Sequence, residues 1–361
     1  MTVTHLDYVP VLKWRQGEYQ ALMRLGSSQK DRTTPLIEIT PPDFDFETHE
    51  PAKSIDDHLL KFGQRLKAKW GARPAFLDTS RLNPTTRMIG GVHPLAHLLQ
   101  AARAVDGRLV PVTALNRDLA HYNAVAAAHL TDQDGIAVRC SLDDIGDPSC
   151  GAQVKALLSH LEIDLSDADL IVDLGRPKFE PIEDLVALLL SCLQASPVFE
   201  LTRSLIIVAT AFPPSMADIK GPTQLIPRQE WLLYKQLVDH LPKYMRLPTF
   251  GDYTIAAPEL PQGDMRLMKP SATVRYTIDD AWIISKGSNV RDNGFGQYEG
   301  QCHDLTSMPS FLATGFSAGS DYIRLCGLGL ASTGTLTTWR WVGTNHHITK
   351  IVADLASYFG S

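Results

Sequence analysis

The chain has 361 residues, 44% hydrophobic and 20% charged, a globular composition that excludes disorder as the main state and allows two domains or one barrel-sized domain with an appendage. Its 34 Lys and Arg against 40 Asp and Glu leave a net charge of -6, which disfavours nonspecific attachment to nucleic acid or to an anionic membrane but allows a local basic patch. The longest apolar run, Leu185 to Leu193, falls far short of the roughly 20 residues a spanning helix needs, so no membrane partner is expected.

Met1 to Tyr8 shows neither a basic nor an apolar signal region. The five cysteines, Cys140, Cys150, Cys192, Cys302 and Cys326, are odd in number and lack a C-x-x-C pair. Both features point to a cytoplasmic chain with reduced thiols.

In chain order, short β-branched runs alternate with stretches of helical period. The strands expected are Tyr8–Trp14, Pro35–Ile39, Pro74–Asp78, Leu109–Thr113, Gly135–Arg139, Leu170–Asp173, Leu205–Thr210 and Leu247–Tyr253. Helices are expected from near Gly17, Ser54, His93, Asp118, Ser149, Pro181 and Arg228. Strands alternating with helices imply parallel pairing, and eight units is the number that closes a TIM-like (β/α)8 barrel. An open doubly wound sheet is the alternative.

The barrel is placed at residues 1–256, with Ala257–Gly263 as a linker. Residues 264–361 are expected to form a C-terminal β-rich element docked on the barrel. Its strands are read at Ala272–Thr277, Ala281–Ser285, Tyr322–Leu325 and Thr335–Val342, and a final helix at Ile348–Tyr358.

In such a barrel the active site is built where the strands end. Lys13, Glu38, Asp78, Arg139, Asp173 and Asp252 lie at or near strand ends, and two residues before them stand Val11, Leu36, Phe76, Ala137, Ile171 and Phe250. Period two then predicts a charged mouth over an apolar interior. The carboxylates suit a divalent cation or acid–base work, and Lys13 and Arg139 suit a phosphate or carboxylate. The competing reading is an ion-pair network that closes the barrel and binds nothing.

Trp339-Arg-Trp-Val-Gly-Thr-Asn-His-His347 concentrates polar and aromatic groups. On a strand, His346 and His347 would face opposite ways and make no simple metal site. On a loop or a helix start one of them faces a ligand; in the plainer reading Asn345 or a neighbour caps the last helix while the tryptophans pack. Gly294-Phe-Gly-Gln-Tyr-Glu-Gly300 has the wrong spacing for a dinucleotide fingerprint and is expected to be a flexible loop. No P-loop, H-E-x-x-H or G-x-S-x-G is present in the sequence.

Tyr8-Val-Pro-Val-Leu-Lys13 with Gly17-Glu18, Pro35-Leu-Ile-Glu-Ile39, Gly251-Asp-Tyr253 and Trp339-Arg340 with Gly343-Thr-Asn-His-His347 occur in an order that resembles the bacteriophage T4 beta protein family. The resemblance spans nearly the whole chain. It implies a setting in phages, prophages and mobile or defence-linked bacterial regions, and leaves the reaction open. By motif it singles out Lys13, Glu38, Asp252, Tyr253, Trp339, Arg340, His346 and His347. Ser317-Ala-Gly-Ser-Asp321 departs from the pattern, which tends to carry glycine directly before the aspartate, so no role for Asp321 is carried over.

The reading these observations favour is a protein of phage–bacterium conflict whose mouth binds or hydrolyses a phosphorylated ligand such as a nucleotide or a nucleic-acid end. As an enzyme it would be a hydrolase, with a carboxylate among Glu38, Asp78 and Asp173 as base or metal ligand. Its rival is a noncatalytic scaffold that recognises a phage or host protein.

Overall fold

The computed structural model describes residues 2–260, 263, 264 and 267–360. Eight parallel strands close into a barrel: β1 (Tyr8–Leu12), β2 (Leu36–Glu38), β3 (Pro74–Asp78), β4 (Arg108–Thr113), β5 (Ile136–Ser141), β6 (Ala168–Asp173), β7 (Ser204–Ala209) and β8 (Thr249–Asp252). Each pairs with the next, and β8 returns to β1 with Tyr8 beside Phe250 and Pro10 beside Asp252. Closure excludes the doubly wound alternative.

Alternation along the strands divides the apolar residues into two layers. Val9, Val11, Leu36, Phe76, Ala137 and Ile171 fill the barrel interior. Tyr8, Leu12, Ile37, Leu77, Val138 and Leu170 join the larger cluster beneath the helices. Each fully buried side chain of this size contributes about 1.5–3 kcal/mol, so both layers are needed to hold the barrel.

The expected helices are present as Gln16–Met23, Ile55–Leu59 followed by Phe62–Lys69, Pro94–Arg103, Leu119–Asp132, Cys150–His160, Ile182–Gln194 and Gln229–His240. Ser54 and Asp118 start theirs by accepting backbone N–H groups of the first turn. Among the described residues, no helix follows β8 directly. Its place against the barrel is taken by the C-terminal half of the helix Leu336–Phe359, whose Ile348, Ile351 and Leu355 join the cluster that holds Tyr8, Trp231 and Phe250.

Between β8 and that helix lies an antiparallel sheet. Ala281–Asn289 is its middle strand, between Ser271–Thr277 and Thr223–Pro227. Two of the four expected strands there are the ones at 272–277 and 281–285; the third sheet strand, Thr223–Pro227, comes from the excursion between β7 and its helix. A second small pairing not read from sequence joins Phe44–Asp45 to Glu50–Pro51.

Tyr322–Leu325, expected as a strand, lies in the helix Ala318–Gly327. Its buried positions Gly319, Ser320, Ile323 and Cys326 follow a 3.6 period that a four-residue window hides. Thr335–Val342 is likewise the start of the helix Leu336–Phe359, because Thr335 and Thr338 form a capping box that outweighs the β-propensity of threonine and tryptophan. Asn345 is therefore not a cap: it lies inside the helix, donating to Ala21 O at 3.1 Å and accepting from Gly319 N at 2.9 Å.

The run Gly294–Gly300 is not one loop. Gly294, at φ +67°, ends the short helix Val290–Asn293, and Gln297 opens the helix Gln297–Thr306. Of the linker Ala257–Gly263, Pro261 and Gln262 lie outside the described residues. Among the described residues, no helix is long and apolar enough to cross a membrane.

Candidate functional site

Arg139, on inward parity near the end of β5, reaches the centre of the barrel mouth. Its Nη1 donates to Glu38 Oε1 at 2.9 Å and to Asp78 Oδ2 at 2.6 Å. Its Nε and Nη2 donate to Asp173 Oδ2 at 2.9 and 2.5 Å, and Nη2 also to the Tyr253 hydroxyl at 2.8 Å. Tyr253 in turn donates to Asp173 Oδ2 at 2.6 Å. The expected charged layer over an apolar interior is thus formed by strands β2, β3, β5 and β6.

Two arginines missed in the sequence complete it. Arg81 Nε donates to Glu38 Oε2 at 2.5 Å, and Arg117 Nη2 lies 3.6 Å from Asp78 Oδ1. They stand in the loops after β3 and β4, just beyond the reach of a strand-end rule. Extending that rule a few residues into each loop would have found both.

Burial acts against the Arg139 charge, but Tyr253, Asp173, Glu38 and Asp78 hold its pKa well above the ordinary value. Burial alone would raise the Asp78 carboxyl, yet Arg139 and then Arg117 hold it below the usual range. Burial, and Asp173 beside it, push the Tyr253 phenol well up despite Arg139. These groups are therefore ionised, or in the case of Tyr253 neutral, at neutral pH.

Glu38, Asp78 and Asp173 do not fit the divalent cation expected from sequence. Their oxygens accept from Arg139, Arg81, Tyr253 and the backbone N–H groups of Ser80 and Gly175, and the guanidinium occupies the place a cation would take between them. Among the described residues, no three His, Cys, Asp or Glu side chains are grouped to hold a metal ion.

Lys13 is inward and 8% exposed, but outside this network. Its ammonium donates to the carbonyls of Ala257 at 2.5 Å and Glu259 at 2.9 Å, while its backbone N–H donates to Glu18 Oε2 at 2.6 Å. Burial lowers its pKa to about 8, against the pull of Glu18 and Glu38. Arg340 reaches the same segment, donating to Ile255 O at 3.3 Å, and lies over Gly17, where any Cβ would collide with its side chain. Burial lowers Arg340, and lowers Arg275 to about 9 with Arg340 as the next cause. Lys13, Arg275 and Arg340 thus form a cationic group with Glu18 near Lys13 and Arg340 and with Glu38 near Lys13.

Asp252 does not belong to the mouth. With Phe250 it faces outward, because Gly251 takes the inward position of β8, where a Cβ would come within 2.8 Å of Val9 O and 2.9 Å of Val208 Cγ2. Tyr253 then turns inward. Asp252 Oδ1 accepts from the Tyr8 hydroxyl at 2.5 Å, and Oδ2 meets His347 Nε2 at 2.8 Å.

His347 Nδ1 is 2.9 Å from Thr277 Oγ1, so one buried chain of contacts ties β1 and β8 to the last helix and the antiparallel sheet. His346 stacks on Tyr276 at 3.9 Å, meets Ser320 Oγ at 2.9 Å and contacts Thr277 O at 2.8 Å; burial lowers its pKa to about 3. Trp339 stacks on Tyr298 at 4.3 Å and donates to Thr333 O at 2.8 Å. His346, His347 and Trp339 are interior contacts of the C-terminal element, apart from the Arg139 network.

A closed (β/α)8 barrel with an ion-paired mouth and an antiparallel sheet set between its last strand and last helix defines a TIM-like barrel protein with a C-terminal elaboration. The sequence pattern of the beta protein family matches residues 8–353, and the chain belongs to that family. No curated protein matches it.

Proposed function

We propose that this protein is a cytoplasmic ligand-binding barrel of phage–bacterium conflict, acting in antiviral defence or from a prophage, and that its mouth holds a phosphorylated ligand such as a nucleotide or a nucleic-acid end. The observation that carries this reading is the group Lys13, Arg275 and Arg340, whose cations meet backbone carbonyls or no acceptor where carboxylates pair the other mouth cations. Burial lowers the pKa of all three, so an anion placed beside them would be stabilised strongly. Binding is better supported than hydrolysis, because Glu38, Asp78 and Asp173 are each engaged by Arg139 and none stands free as a base.

The rival reading, a noncatalytic scaffold for a phage or host protein, is favoured by one observation. Leu328 and Leu330, 59% and 73% exposed before the last helix, and Leu336, 41% exposed at its start, are apolar residues suited to a protein partner.

Thermal unfolding with nucleoside mono- and triphosphates and a 5′-phosphorylated oligonucleotide tests the proposal. A ligand at about 100 times its Kd stabilises the fold by about 2.7 kcal/mol, a readily measured rise in midpoint. We expect that rise in the wild type and a smaller one in Lys13→Met. No rise with any phosphorylated compound, together with retained biological effect in Lys13→Met, would leave the scaffold reading.

A further inference from the structure

A cavity of about 370 Å³ opens between the loops that follow β3 and β4. Arg117, His121, His93, Asn83 and Asn116 are in its wall. Two of these carry unanswered polar atoms: Arg117 Nε and His121 Nε2 are buried and have no hydrogen-bond partner. His121 is 1% exposed. A buried polar group without a partner costs about 1–3 kcal/mol, so two beside one cavity call for a ligand that meets both.

Arg117 is also held loosely. Its nearest carboxylate oxygen, Asp78 Oδ1, is 3.6 Å away, and that carboxylate already pairs with Arg139. The cavity's own acid does not oppose an anion. Asp118 Oδ1 accepts from the backbone N–H groups of Ala120 and His121 and from Arg87 Nη2 at 3.1 Å, and Oδ2 lies 3.8 Å from His93 Nε2. The volume falls at the small end of the range for small-molecule pockets.

We propose that this cavity is a binding site for a phosphate group, free or as the monoester of a small metabolite, held by Arg117 and His121. The phosphate oxygens accept from the Arg117 guanidinium, and a turn of the two side chains brings Arg117 Nε and His121 Nε2, which water does not reach, onto the ligand. Burial, reinforced by Arg117, lowers the His121 pKa to about 4, so its imidazole enters this contact neutral. The site is separate from the Lys13 group: β1, which leads to Lys13, pairs with β2 and β8 and not with β3 or β4. It does not depend on what the Lys13 group holds.

The test is titration calorimetry on the full chain with inorganic phosphate, with adenosine 5′-monophosphate and with adenosine. Arg117→Gln is expected to weaken phosphate binding at least tenfold. Asn116→Trp, at an exposed rim position, is expected to block the cavity while keeping the wild-type unfolding midpoint, so it decides the matter if Arg117→Gln folds poorly. Lys13→Met is expected to keep the phosphate binding that Arg117→Gln weakens.

In Lys13→Met, tighter binding of the monophosphate than of phosphate assigns a metabolite to the cavity, and equal binding assigns the free ion; both support the site. Absence of phosphate binding in the wild type, or undiminished binding in Asn116→Trp, overturns it. Loss of binding in Lys13→Met with retention in Arg117→Gln overturns it too, while leaving the mouth reading in place.

Discussion

Arg139 keeps its charge in a desolvated setting because three carboxylates and a phenol surround it, and the same fact makes it the least replaceable residue of the mouth. Arg139→Met would leave Glu38, Asp78 and Asp173 facing one another with only Arg81 and Arg117 beside them. Removing one partner of a buried ion pair costs about 3–5 kcal/mol, so the urea midpoint should fall steeply. Lys13→Met, which removes no carboxylate contact, should leave the midpoint near wild type. Equal midpoints in the two variants would show that the network does not hold the barrel closed.

Lys13, Glu38, Asp78, Arg139 and Asp173 were legible as one layer because period two fixes inward parity and each has an apolar residue two positions before it. Asp252 satisfied the same pattern and lies on the other face. What separates it from the others is the close approach of β1 and β7 to Gly251, a three-dimensional constraint invisible in a strand's own alternation.

At the scale of elements, the helix Gln229–His240 begins on a buried pair that connects three parts of the chain. Arg228 donates to the carbonyls of Ile278 and Asp279, in the turn of the antiparallel sheet, and to Asp354 on the last helix at 2.9 Å. Glu230, next to it, accepts from Ala211 N at 3.1 Å, with its other oxygen 3.8 Å from Arg228 Nε. Burial raises the Glu230 pKa to about 8 even against Arg228.

Between pH 6.5 and 8 the native chain therefore holds a proton that the unfolded chain has released. Stability falls as pH rises through this window, by about 2 kcal/mol at most, and the loss is complete only above pH 8. Glu230→Gln should remove the decline, which chemical denaturation at pH 6.5, 7.25 and 8 would reveal; an unchanged slope would mean that Glu230 is already ionised in the native state.

The strands of the barrel were readable from their β-branched runs and turn residues. The start of the last helix was not, because threonine, valine and tryptophan speak for a strand in any short window and only the Thr335–Thr338 capping box speaks for a helix.

For the molecule as a whole, the alternation of strands and helices predicts the barrel but not how its last gap is covered. The composition change after Tyr253 is visible in sequence, whereas the return of Ile348, Ile351 and Leu355 to the seam between β1 and β8 is a long-range contact with no local mark. We expect residues 1–256 alone to leave that seam open and to associate or stay partly unfolded, as gel filtration and circular dichroism would show. A monomeric, cooperatively melting fragment would mean that the seam is stable uncovered.

The chain of contacts from Tyr8 through Asp252 to His347 has a consequence for how the protein is made. Asp252 follows Tyr8 by 244 residues and His347 follows Asp252 by a further 95, so during synthesis the carboxylate of Asp252 and the apolar seam around it emerge before their cover does. Closure of that seam is thereby expected only once the segment that carries His347 has left the ribosome.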